Sequence, residues 1–191
     1  TYNPQPPTRN LRLKITGSKS ETNRLLLLQA LYPNLVLENT SNSDDSDVMF
    51  KAIQKLTTDN RQQTTVIDIH HAGTAMRFLT AYFAIQEGKE VILTGSSRMK
   101  ERPIKILVKA LQQLGAEISY EENEGFPPIK ILGRKLTQNK VALPANVSSQ
   151  YISALLLMAP KLENGLELTL EGEITSIPYI KMTLALLNDI G

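Results

Sequence analysis

The chain has 191 residues, 41% hydrophobic and 21% charged, enough for one large domain or two small ones of an ordinary globular protein. Its 21 basic and 19 acidic residues leave a formal net charge of +2, and no run of Lys or Arg occurs, so a nucleic-acid surface is not expected. Without Cys there are no disulfides, thiolate nucleophiles or Cys-ligated metals. The apolar runs fall well short of the ~20 residues of a membrane helix, and no secretory leader pattern is visible, so a cytoplasmic protein with no membrane partner is expected.

Residues 1–10, TYNPQPPTRN, carry three prolines and read as an extended tail or linker. Leu11, Leu13 and Ile15 alternate with polar residues and predict a short strand over 11–16. GSKSETNR follows at 17–24. Ser18 and Glu21 form a capping box before the apolar run 25–28, so a helix begins here and is stopped by Pro33. Between Arg24 and Leu31 only Arg24 and Gln29 are polar, which predicts a helix buried nearly all round. Residues 35–38 read as a strand. NSDDSD at 42–47 places caps and carboxylates at the start of an amphipathic helix along Met49, Ile53 and Leu56. Residues 64–69 predict another strand.

The order then recurs. HAGTAMR at 71–77 opens a helix apolar on almost every side, followed by a strand over 90–94. SSRMKERP comes next, and its spacing alone reads as a solvated charged loop. Pro103 suits the first turn of an amphipathic helix closing at Gly115, and strands follow over 117–120 and 129–132. A third round has a strand over 141–143 and a helix capped by Ser148 and Ser149 and stopped by Pro160. It continues with a strand over 166–170 and a last helix opened by Pro178. Three rounds of buried helix, strand and amphipathic helix make an internal repeat, over about 17–70, 71–138 and 139–191. Round two goes on to two strands where round three stops, so the third repeat reads as truncated and the chain as a fragment.

The buried helices open with Ser18 and Ser20, Gly73 and Thr74, and Ser148 and Ser149, and carry Arg24, Arg77 or Gln150 early. Around a pseudo-threefold axis their starts would converge on one surface suited to polyanions, because free N–H groups and the helix dipole both favour negative charge. For any one helix, ordinary capping explains such residues; an Arg inside an apolar helix start demands a partner. GSKS lacks the second Gly and the loop width of a P-loop, and no dinucleotide fingerprint occurs, which disfavours a nucleotide-binding domain. His70 and His71 are adjacent and unsuited to one metal, and Asp44, Asp45 and Asp47 suit a helix dipole; no metal site is expected.

Taken in order, GSKSETNR at 17–24, AGTAMR at 72–77, RMKERPI at 98–104, SSQ at 148–150 and SIPYI at 176–180 resemble the enolpyruvyl transferase family, and within it the EPSP synthase branch. The resemblance implies an α/β (α+β) domain over 17–191, barrel-like and inside out. Its βαβαββ repeats would have helices inside and sheets outside, with 1–16 leading in and a C-terminal domain absent here. It also implies transfer of the enolpyruvyl group of phosphoenolpyruvate to the 5-hydroxyl of shikimate 3-phosphate, with no cofactor. The partners implied are those two substrates and the chain's own C-terminal domain.

By similarity, Lys19, Ser20, Arg24, Ser148, Ser149, Gln150, Ser176 and Tyr179 would bind phosphoshikimate. Lys19, Gly73, Arg102 and Gln150 would bind phosphoenolpyruvate, Gly73 because a side chain there would crowd it. Thr74, Arg77 and Arg98 would support them. No catalytic proton-transfer residue is expected in this half, which should not turn over alone. Two positions depart from the family pattern: His71 stands where Asn is usual, and Phe78 where Pro is frequent. The sister transferase acting on UDP-N-acetylglucosamine is disfavoured because it typically uses a loop Cys. A non-catalytic anion-binding domain of the same fold is the alternative from another class.

Overall fold

The computed structural model describes residues 16–58 and 64–190. Helix α1 (Lys19–Leu31) is capped by Ser18, whose Oγ accepts from the Glu21 N–H at 3.3 Å. Helix α2 (Asp44–Thr58) follows, with Asp44, Asp45 and Asp47 in its first turn where the dipole favours them. Next come β1 (Thr65–Asp68), α3 (Gly73–Ala84), β2 (Glu90–Thr94), a single helical turn α4 (Ser97–Lys100), α5 (Lys105–Gln113), β3 (Glu117–Tyr120) and β4 (Ile129–Leu132). The last round is β5 (Lys140–Pro144), α6 (Ser149–Met158), a 3-10 turn at Ala159–Lys161 containing Pro160, β6 (Glu167–Glu171) and α7 (Ile177–Asp189).

From β1 to β4 the order is βαβαββ, with α4 inserted as an extra turn. Strands β1 and β2 pair in parallel, Thr65 opposite Val91, and α3 makes the crossover between them. Strand β4 adds antiparallel to β2, and β3 to β4, giving the order β1-β2-β4-β3. The third round repeats the opening of that unit: β5 and β6 pair in parallel, Val141 opposite Leu168, with α6 as the crossover. Parallel strands need such a crossover, and the helix packs on the face where the strands turn their apolar residues. Val91, Leu93, Ile129 and Ile131 point inward from the larger sheet, and Val141 and Leu143 from the smaller.

Helix α3 is central. All its residues but Thr74 are buried, as its unbroken apolar sequence requires. Helix α6 exposes little beyond Ser149 and Gln150, and α1 buries Leu26, Leu27, Leu28 and Leu31. Helices α1, α3 and α6 lie inside, as expected, whereas α2, α5 and α7 each keep an exposed face.

Two expectations need correcting. Residues 35–38 form no strand: Leu35 and Leu37 pack on the core and Val36 is 84% exposed, so the alternation holds, but the segment pairs with no strand among the described residues. Extended backbone without a ladder is not a strand, whatever its side-chain pattern. The segment 96–103 is more than a solvated loop. Ser96 caps a helical turn by accepting from the Met99 N–H, and Met99 is buried, so one apolar residue pins the charged stretch to the core. The strand expected over 11–16 and the tail before it fall almost wholly outside the described residues.

Candidate functional site

Residues at equal depth in the three inner helices meet. Arg24 is the sixth residue of α1, Phe78 the sixth of α3 and Ser153 the fifth of α6. The Arg24 guanidinium lies 5.3 Å from the Phe78 ring centroid and donates to Ser153 Oγ at 3.0 Å. At the helix mouths, Gln150 Nε2 donates to Thr74 Oγ1 at 3.1 Å. Two matched levels mean that α3 and α6 open at one end, which Gly73 and Thr74 share with Ser149 and Gln150, and Arg24 joins α1 to both at the deeper level.

Arg24 itself is not at the surface. It is 3% exposed; Nε donates to Thr183 Oγ1 at 2.8 Å, Nη1 to the Ser20 carbonyl at 2.7 Å, and Nη2 also reaches the Tyr179 carbonyl at 3.4 Å. Burial pulls its pKa below the ordinary arginine range, opposed by Tyr179 and Glu21. Arg77 is likewise interior: it donates to the Gly73 carbonyl at 3.0 Å and the Pro103 carbonyl at 3.2 Å, while its Nε is buried without a partner among the described residues. Desolvation lowers its pKa too, offset by Tyr151 and reinforced by the like charge of Arg102.

Tyr151 is a residue that sequence reasoning missed. Its hydroxyl donates at 2.7 Å to the same Pro103 carbonyl. Two donors from the inner helices therefore hold the residue that follows Arg102.

Arg102 leaves that anchor and returns over the start of α3. A Cβ on Gly73 would lie 2.5 Å from Arg102 Nη1, so the guanidinium occupies the space that glycine leaves. Helix α3 is also the one inner helix with no side-chain cap: Ser18 and Ser148 cap α1 and α6, but Ala72 offers no acceptor. His71, Arg98, Met99 and Arg102 line a cleft of about 360 Å³ beside it. The nearby cations Lys100 and Lys105 are neutralised by Glu122 and Glu124, both at 2.6 Å. Neither the Arg98 nor the Arg102 guanidinium has an acidic or hydrogen-bonding partner among the described residues. Unpaired guanidinium groups beside uncapped N–H donors suit a phosphate or carboxylate.

None of the remaining expected residues lines this cleft. Lys19 pairs with Asp45 at 3.3 Å, with its side chain half exposed. Ser148 is exposed, and its Oγ accepts from the Gln150 N–H. Ser176, at φ 57°, opens α7 without a side-chain cap, and Tyr179 is exposed one turn on. A second cleft of about 450 Å³, between α1 and α2, is lined by Leu26, Phe50, Asp44 and Asp47, with no cation among its described lining residues. No group of three or more His, Cys, Asp or Glu among the described residues could hold a metal ion. No described helix is long and apolar enough to cross a membrane.

Fold and cleft together define an α/β domain with one βαβαββ unit and the opening of another, whose central helix starts beside arginines unpaired among the described residues. A family model described as EPSP synthase (3-phosphoshikimate 1-carboxyvinyltransferase) matches residues 7–191, and the chain belongs to that family. The 3-phosphoshikimate 1-carboxyvinyltransferase of Bacteroides fragilis is 54% identical over 180 residues, covering 94% of this chain and 42% of the relative. That of Haemophilus influenzae is 42% identical over 202 residues, covering 94% and 46%. The chain thus spans less than half the length of these curated relatives. A solved structure of EPSP synthase from Acinetobacter baumannii superposes with a TM-score of 0.70 at 20% identity, covering 88% of this chain and 42% of that one.

Proposed function

We propose that this chain forms the phosphoshikimate-binding half, and part of the phosphoenolpyruvate site, of a 3-phosphoshikimate 1-carboxyvinyltransferase. On this reading the enolpyruvyl group of phosphoenolpyruvate passes to the 5-hydroxyl of shikimate 3-phosphate, giving 5-enolpyruvylshikimate 3-phosphate and inorganic phosphate. No metal or organic cofactor takes part. The observation that carries the reading is the unpaired Arg102 guanidinium seated against Gly73 at the uncapped start of α3.

Arg102, the Gly73 backbone, Lys19 and Gln150 hold phosphoenolpyruvate. Lys19, Ser20, Ser148, Ser149, Gln150, Ser176 and Tyr179 hold phosphoshikimate. Arg24, whose donors are already engaged, lends charge beneath Ser20, and Thr74, Arg77 and Arg98 support the others. Residues 17–191 act as one cytoplasmic domain of three repeats. The groups that move protons belong to the part of the longer relatives beyond the match, so the chain alone releases no phosphate above background from the two substrates. Clear turnover by the pure chain contradicts that division.

Calorimetric titration with shikimate 3-phosphate, against shikimate and inorganic phosphate, tests the first half of the reading. Saturable binding that needs both the ring and the phosphate is expected. Binding no tighter than that of inorganic phosphate sinks it. Titration with phosphoenolpyruvate, lost in Arg102→Gln, tests the second half.

A further inference from the structure

The cleft has one wall that the proposed function leaves unused. His71 lines it with Arg98, Met99 and Arg102. Its backbone position is fixed. His70, at φ 50°, donates its N–H to Asp68 Oδ1 at 2.7 Å, and its carbonyl accepts from the Ser96 N–H at 2.9 Å. Ser96 caps α4, which carries Arg98, so one backbone hydrogen bond ties the turn bearing His71 to the helix bearing Arg98. The charged neighbours are accounted for element by element. Asp68 on β1 is engaged by His70, and Arg77 of α3 is turned into the core. Lys100 is paired with Glu122, and Glu101 does not line the cleft. Among the described residues, Arg98 and Arg102 are the charged groups that share the cleft with the imidazole.

We propose that His71 is a proton-dependent third member of this anion cradle, so that a phosphate-bearing ligand entering the cleft brings a proton onto the imidazole. The proposal rests on the reading of the cleft as the phosphoenolpyruvate site and adds a regulation of that site by pH. The two guanidinium groups keep their charge throughout the neutral range, whereas imidazole is the side chain that changes charge between about pH 5 and 8. A dianion in the cleft favours imidazolium over imidazole. By reciprocity the imidazolium strengthens the hold on the dianion, and the two effects are equal in free energy.

Sulfate is the probe, because it stays a dianion across this range and any pH dependence then belongs to the protein. The full chain is titrated with sulfate between about pH 5 and 8, alongside Arg102→Gln, His71→Asn and His70→Asn. The expected result is wild-type affinity rising roughly fivefold or more as pH falls. The rise should be abolished in His71→Asn, retained in His70→Asn, and accompanied by upward movement of the His71 ring-proton titration in NMR when sulfate is added. The chain has two His residues, so the signals are assigned by the two variants.

A flat wild-type profile, or a slope that survives in His71→Asn, overturns the proposal while leaving the cleft as an anion site. Sulfate binding that Arg102→Gln does not weaken, or no binding at all, overturns both. Sulfate binding that phosphoenolpyruvate does not displace removes the functional reading alone and leaves His71 as a sensor for another anion.

Discussion

Arg24 and Arg77 stand at similar depths in α1 and α3, and both guanidinium groups are spent on holding helices together. Among the described residues neither is paired with a carboxylate; carbonyls, hydroxyls and aromatic rings take that place. Arg24→Met should therefore lower unfolding stability by about 2–3 kcal/mol, because it strips charge-assisted partners from the buried Ser153 and Thr183 hydroxyls. Urea unfolding measures this, and a loss under about 0.5 kcal/mol would mean that the interior network is dispensable. Gly73→Ala should behave in the opposite way. The atoms nearest its Cβ are the far end of a flexible Arg102, so stability should hold, yet on the proposed function phosphoenolpyruvate binding should weaken about tenfold as the guanidinium is displaced. A melt and a titration on the same sample decide it, and a variant that melts early but binds normally would contradict the geometry. The sequence made it plain that Arg in an apolar helix start needs a partner. It could not say which, because Thr183 is 159 positions from Arg24.

At the scale of elements, the loop that carries Arg102 is held from within. The Pro103 carbonyl takes hydrogen bonds from Arg77 on α3 and Tyr151 on α6. Tyr151→Phe should lose about 1 kcal/mol, the worth of one buried hydrogen bond. It should also speed amide exchange at Glu101, Arg102 and Ile104 without a global change of fold; unchanged exchange there would argue against an anchoring role. Helical capping allows a cleaner test: Ser148→Ala should lower stability by about 1 kcal/mol, read as a shift of the urea midpoint. Long helices and alternating strands were legible because periodicity needs several residues to declare itself. Helix α4 has four residues and one buried side chain, too few to show a period. Residues 35–38 had the right alternation, but a strand also requires a neighbour, which no local pattern records.

Across the whole molecule, order is uneven. Helix α3 is sealed between sheet and helices, whereas α7 buries Thr183 alone and leaves Ile177, Tyr179 and Leu184 nearly half exposed. Hydrogen exchange should follow this: slowest in α3 and the four-stranded sheet, faster in β5, β6 and α7. Uniform protection would show instead that the chain opens as a single unit. The βαβαββ order from β1 to β4 and its restart at β5 were readable because both stretches obey the same local rules, whereas no described strand separates α1 from α2. The inward placing of α1, α3 and α6 followed from their nearly unbroken apolar runs. The meeting of helix mouths needed three dimensions. Gly95 shows how little can govern such a meeting. A methyl group there would stand 2.5 Å from the His70 carbonyl oxygen and 2.8 Å from the Met99 side chain, so the two banks of the cleft approach each other only because an atom is missing. The width of the cleft is thus tunable separately from its charge. A single added carbon at this position would push α4, and Arg98 with it, away from the turn that bears His71, widening the cleft without changing the number of its cations.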